Sequence, residues 1–207
     1  MPTREKEIYL TFDDGPVPGP THFVLEELEK VKARATFFCI GDNVHKHPGL
    51  FQKVVEHGHS IGNHTFSHIK GWNYSARDYV ENVRLCEKEF SVHGLSRAPG
   101  RMRPKNPAER GTKSGGLFRP PYGRIKRSQI RALEGYKIVM WDVLTQDYAG
   151  HISKERCLRG SIRASRPGSI VVFHDSFKAE KKLMYVLPRI LSHFVELGYS
   201  LKAIPNF

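Results

Sequence analysis

A mainly parallel α/β domain, built as a distorted or incomplete (β/α) barrel of about seven βα units, is the architecture predicted by three features of the 207-residue sequence. Short runs of β-branched and aromatic residues alternate with stretches whose apolar residues recur at three- and four-residue spacing, the pattern of repeated βα units. The longest apolar runs, such as 35–40 and 170–173, are strand-length and far below the roughly 20 residues that cross a bilayer. No composition shift suggests a cut into two domains, and 39% hydrophobic residues at this length can bury one sizeable core, so one domain over 1–207 is expected.

The elements follow in order. A strand is predicted over 7–13. Thr21 can cap a helix in which Val24, Leu25, Leu28 and Val31 share a face. Residues 35–40 form the next strand. Pro48 suits the first turn of a helix with Phe51, Val54 and Val55 inward, and Gly58 ends it. A short strand at 59–63 precedes a longer helix over 75–92 that places Tyr79, Val83, Cys86 and Phe90 on one side. Further strands are predicted at 117–119, 137–141 and 169–174, with helices near 128–133 and 153–164. A last helix over 183–197 leads into a strand at 199–203.

One segment breaks the alternation. Residues 91–116 are dense in Gly, Pro, Arg and Lys and read as a long basic loop insertion. The plain reading is a solvated, variable insertion; the alternative is that, because it enters directly into 117–122, it lies near the mouth of the fold and attracts an anionic polymer. Over the whole chain 33 Lys and Arg against 21 Asp and Glu give +12, which favours anionic partners in general. Cys39, Cys86 and Cys157 sit far apart without CxxC spacing, which argues against a disulfide framework and a thiolate zinc site. Residues 1–6 are polar and charged without the apolar middle of a secretory signal, so the sequence as written points to the cytoplasm, or outside it if a leader has been removed.

In βα architectures reactive groups gather where strands end. Here those positions carry Asp13-Asp14, His64 and His68, Arg119, Asp147, and His174-Asp175. His64 and His68 have HxxxH spacing, which brings two imidazoles to one side if the backbone makes a helical turn. Two imidazoles and a carboxylate form a common facial set for zinc or another first-row metal. Adjacent aspartates repel each other unless a cation or Arg compensates, and a turn before Gly15-Pro16 would need only one.

Five segments together are specific. Thr11-Phe12-Asp13-Asp14-Gly15-Pro16, His64-Thr65-Phe66-Ser67-His68, Phe118-Arg119-Pro120-Pro121-Tyr122-Gly123, Trp141-Asp142-Val143-Leu144-Thr145-Gln146-Asp147-Tyr148 and Val172-Phe173-His174-Asp175-Ser176 resemble, in order, the motifs of the polysaccharide deacetylase family. This is the NodB-homology domain of carbohydrate esterase family 4. The resemblance runs over about 7–203 and implies a distorted (β/α) barrel that removes N-acetyl groups from glycan. It implies one divalent metal, zinc first with cobalt or nickel as alternatives, on Asp14, His64 and His68. It further implies Asp13 as base, Arg119 orienting Asp13, His174 as general acid, Asp147 orienting His174, and the backbone N–H of Tyr122 at the oxyanion. The family usually has Trp where this chain has Tyr148, so the aromatic wall is kept with altered shape and polarity.

The substrate implied is N-acetylglucosamine of peptidoglycan, chitin-like oligomers or another glycan, with an amidase of a small N-acyl metabolite on the same fold as the alternative. A non-catalytic glycan-binding module is opposed by the intact Asp13 and His174. A nucleic-acid partner is not expected: the charge invites one, but no recognisable motif accompanies it. Phe12, Trp141 and Phe173 are read as core aromatics. The histidines outside the motifs, His45 and His93 among them, are read as surface or packing residues, and oligomeric state is left open.

Overall fold

The computed structural model describes residues 5–93 and 116–205. Most of the basic segment predicted at 91–116 lies outside them, while Ser91 and Val92 belong to a helix. The strands are β1 (Glu7–Asp13), β2 (Thr36–Cys39), β3 (Ser60–Asn63), β4 (Leu117–Phe118), β5 (Lys137–Ile138), β6 (Val143–Leu144), β7 (Ser169–His174) and β8 (Ser200–Lys202). The helices are α1 (Pro20–Lys30), α2 (Gly41–Lys46), α3 (Pro48–Glu56), α4 (Ala76–Val92), α5 (Arg127–Ala132), α6 (Lys154–Ala164) and α7 (Glu180–Glu196).

All strand pairs are parallel, in the order β5-β4-β3-β2-β1-β7-β6. β8 pairs with the first half of β1, at Glu7–Tyr9, while β2 pairs with the second half, at Thr11–Asp13. The sheet therefore has seven stations across and curls into a half-barrel that stays open between β5 and β6, as the incomplete-barrel reading expects.

Strand alternation sorts the side chains of β1 between two environments. Ile8, Leu10 and Phe12 enter the large core with Val24 and Leu28 of α1, Phe51 and Val54 of α3, and Leu187 and Ile190 of α7. Phe12 stacks on Phe37 and Phe173 at 5.1 and 5.5 Å between ring centroids. Tyr9, on the opposite face, packs with Phe38, Leu117, Val139 and Ile204. Thr11 and Asp13 share that face and accept hydrogen bonds from Arg119, so the inner surface of the half-barrel turns polar toward the strand ends. Registry places Asp13 beside Phe38 on one side and His174 on the other.

Several expectations need correction. Thr21 does not cap α1: Gly19 holds that position at φ +87°, where a Cβ is disfavoured, and Pro20 opens the helix. The Thr21 hydroxyl instead accepts from Val17 N–H and donates to Asp175 at 2.6 Å. α2 was not predicted, because Val44 is its one large buried apolar residue and no 3.6-residue pattern forms. The strand expected over 137–141 ends at Ile138, and a separate two-residue strand, β6, carries the chain toward Asp147. Ser75 caps α4 by accepting from Asp78 N–H, and Ser153 caps α6 in the same way from Arg156 N–H.

Candidate metal centre and active site

At the rim formed by the C-terminal ends of β1 and β3, Asp14, His64 and His68 converge, each offering one ligand atom within 4.8 Å of the others. Asp14 Oδ1 lies 3.2 Å from His68 Nε2 and 3.7 Å from His64 Nε2. That oxygen is buried and has no hydrogen-bond partner. His64 is fixed from behind: its Nδ1 donates to the Arg119 carbonyl at 2.7 Å, which leaves the Nε2 lone pair facing Asp14. Burial lowers the His64 pKa to about 4, so the ring is neutral at neutral pH. Burial works to raise Asp14, but His68, His174 and His64 together bring it down to about 2. A carboxylate oxygen without a hydrogen-bond partner facing two imidazole nitrogens suits a divalent cation of the zinc class.

The imidazoles do not meet through a helical turn, as the HxxxH spacing suggested. Thr65 and His68 take left-handed φ values of 65° and 51°, and the segment kinks between them. Side chains pay for that strain. Asn63 Oδ1 accepts from Thr65 N–H, and Asn82 Oδ1 of α4 accepts from Phe66 and Ser67 N–H. Asp14 sits at φ 83°, its carbonyl held by Asn43 Nδ2 of α2 at 2.7 Å.

Arg119 has no exposed surface. Its Nη1 donates to Asp13 Oδ1 at 2.7 Å and to Thr11 Oγ1 at 2.8 Å, and its Nε donates to the Val139 carbonyl at 3.1 Å. The guanidinium lies over the Phe38 ring at 4.1 Å and near that of Trp141 at 5.6 Å. Gly62 makes room for this stack, because a Cβ there would meet Phe38 Cδ1 at 2.3 Å. Trp141 is half-buried beside Arg119, so it is a wall of the site and not the core aromatic expected.

Across from Asp13, Asp147 is fully buried and grips His174 twice. Oδ1 accepts from Nδ1 at 2.8 Å, and Oδ2 accepts from the His174 backbone N–H at 2.8 Å. Nε2 is left for the rim. Burial works to lower the His174 pKa, but the charge and hydrogen bond of Asp147, with Asp14 and Asp13 beyond, raise it to about 9. Tyr148 packs edge-on against the His174 ring at 4.7 Å, with Lys178 Nζ 5.5 Å over its own ring. On the opposite side Tyr122 is exposed, takes φ 60°, and sets its ring 4.7 Å from that of His68. The N–H groups of Gly123 and Arg124 donate to Pro120 and Pro121 carbonyls, while that of Tyr122 has no partner among the described residues.

All nine residues singled out from the sequence thus lie around one rim. Asp175 was seen at a strand end but given no part. It is buried, accepts from Gly15 N–H at 3.0 Å and from Thr21, and burial pushes its pKa up to about 8. A Cβ on Gly15 would overlap its carboxyl, so the turn after Asp14 and the end of β7 are built against each other. Its place directly after His174 was the available signal. Asn43 and Asn82 gave none, being single polar residues on helices.

The polysaccharide deacetylase family profile matches residues 1–106. A peptidoglycan-N-acetylglucosamine deacetylase of Bacillus cereus is 34% identical over 203 residues, covering 96% of this chain and 86% of that protein. The chain belongs to the polysaccharide deacetylase family. Within this family, chitin deacetylase 2 of Saccharomyces cerevisiae is 31% identical over 80% of the chain, which spans about half (49%) of that relative's length. A crystal structure of a peptidoglycan N-acetylglucosamine deacetylase superposes with a TM-score of 0.84 at 26% identity, covering 99% of this chain and 88% of that one. Among the described residues of this polysaccharide deacetylase family member, no helix is long and apolar enough to cross a membrane.

Proposed function

We propose that this family member is a cation-dependent hydrolase that removes N-acetyl groups from the amino sugars of a glycan, peptidoglycan or a chitin-like polymer, and releases acetate. The observation that carries the reading is one rim where the Asp14, His64 and His68 set adjoins an Arg-held carboxylate, Asp13, and a carboxylate-held imidazole, His174. Zinc is the preferred occupant because two imidazoles and one carboxylate leave an open face; cobalt or nickel fits the same donors. Bound there, such a cation polarises a carbonyl and lowers the pKa of water from 15.7 toward about 7.

The chain's own groups divide the proton work. Asp13, held by the Arg119 guanidinium, accepts the proton of the attacking water. The Tyr122 N–H is free to donate to the oxygen that gains charge as the amide carbonyl becomes tetrahedral. His174, protonated at neutral pH, delivers its proton from Nε2 to the departing sugar amine while Asp147 steadies the imidazolium. The exposed rings of Tyr122 and half-buried Tyr148 flank this line and offer apolar faces to the acetyl group and the sugar.

Acetate release from chitin oligomers, peptidoglycan fragments and small N-acetyl sugars tests the reading. Activity on at least one glycan, lost on chelation and restored by zinc, is expected. Activity confined to small N-acyl compounds, or full activity after exhaustive chelation, would overturn it.

The pH dependence has a defined sign. His174 holds its proton below its pKa and loses it as pH rises through about 9, so turnover falls on the alkaline side. Asp14 is one of the charges that raise His174, so a cation held there would move that limb to lower pH. Asp147→Asn removes the charge that raises His174 and is expected to shift the alkaline limb toward the ordinary histidine value of about 6.5. A limb that stays in place in this variant would show that another group supplies the acid.

A further inference from the structure

A second convergence of metal-binding side chains lies on the outer surface, away from the rim. His45 of α2 and Glu89 and His93 of α4 bring one ligand atom each within 4.8 Å of the others. His45 Nδ1 is 3.2 Å and His93 Nε2 3.4 Å from the same oxygen, Glu89 Oε2. Glu89 and His93 are four residues apart at the end of α4 and share a face, while His45 reaches them from the neighbouring helix. The Glu89 carboxylate is 16% exposed and His93 22%, so two of the three ligands are already partly desolvated and held in place.

We propose that His45, Glu89 and His93 form a second site for a divalent cation of the zinc, nickel or copper class. Two imidazole nitrogens and one carboxylate oxygen favour these ions over magnesium or calcium, which prefer all-oxygen sets. The exposed side at His45 leaves room for water to complete the coordination, as suits a clamp more than a reaction centre.

The clamp has something to hold. Gly41 and Asp42 at the start of α2 donate their N–H groups to the Thr65 and Phe66 carbonyls at 3.0 Å, and Asn43 holds the Asp14 carbonyl. From α4, Asn82 holds Phe66 and Ser67. The two helices meet so closely that a Cβ on Gly41 would lie 2.8 Å from Cys86 Cα. A cation joining α2 to α4 therefore fastens the pair of helices that positions the inner ligand set.

Zinc titration of the full chain, stripped beforehand with chelator, tests the site by calorimetry and metal analysis. The expected stoichiometry is two per chain, falling to one in His45→Ala/His93→Ala. His64→Ala/His68→Ala should also keep one equivalent, and combining all four substitutions should leave none. If the inner-site variant does not fold, the outer-site variant against the unaltered chain decides alone. A stoichiometry in His45→Ala/His93→Ala equal to that of the unaltered chain overturns the proposal. Stoichiometry reads this site independently of whether acetate is released.

Discussion

Asp13→Asn should leave the bound cation in place and lower acetate release by about two to four orders of magnitude, the usual contribution of a positioned base. The substitution keeps the shape of the side chain and its Oδ1, so the hydrogen bond from Arg119 Nη1 can persist. It removes the one feature the chemistry needs from this position, a carboxylate that accepts a proton. Asp13 is not among the converging ligand atoms, which belong to Asp14, His64 and His68, so cation content should match that of the unaltered chain. Measured together, zinc stoichiometry, kcat and KM separate the possibilities. A fall in kcat at constant stoichiometry supports the base, whereas a rate near that of the unaltered chain would move the role elsewhere.

Arg119→Ala should be the most destabilising single change at the rim, because it leaves the buried Asp13 carboxylate without its counter-charge. Breaking a buried ion pair from one side costs about 3–5 kcal/mol, and the lost packing against Phe38 and Trp141 adds to it. The denaturation midpoint should fall accordingly, and activity should fall with it, since Asp13 also loses the group that aims it. The double variant Asp13→Asn/Arg119→Met separates the two effects. It removes both charges and refills much of the volume, so much of the stability should return while activity stays low. If Arg119→Ala unfolds at the same denaturant concentration as the unaltered chain, the pair contributes no net stability and its role is confined to alignment.

What was legible in the sequence was what repeats or what clusters along the chain. β1 was read to its last residue, and α1, α3, α4 and α7 to within a few, because long apolar periodicities report burial directly. β6 and α2 were not, since two residues in one case and one large apolar side chain in the other form no period. The motif residues could be named for the same reason: acids, imidazoles and an arginine stand at strand ends, where backbone geometry exposes side chains to the mouth of the fold.

Three-dimensional packing settled how those residues face one another. Whether His64 and His68 converge depended on the kink at Thr65, stabilised by Asn82 of α4, and no local spacing encodes that contact. The approach of Asp13 to His174 came from the register of β1 on β7, strands separated by most of the chain. Trp141 changed from core to wall because its strand ended early and turned it toward Arg119. His45 and Glu89, 44 positions apart, meet only because α2 packs on α4. Composition and period fix which face of an element avoids water. Which distant side chains then share a few cubic ångströms is set by sheet register and helix packing, where the free energy depends on the whole fold at once.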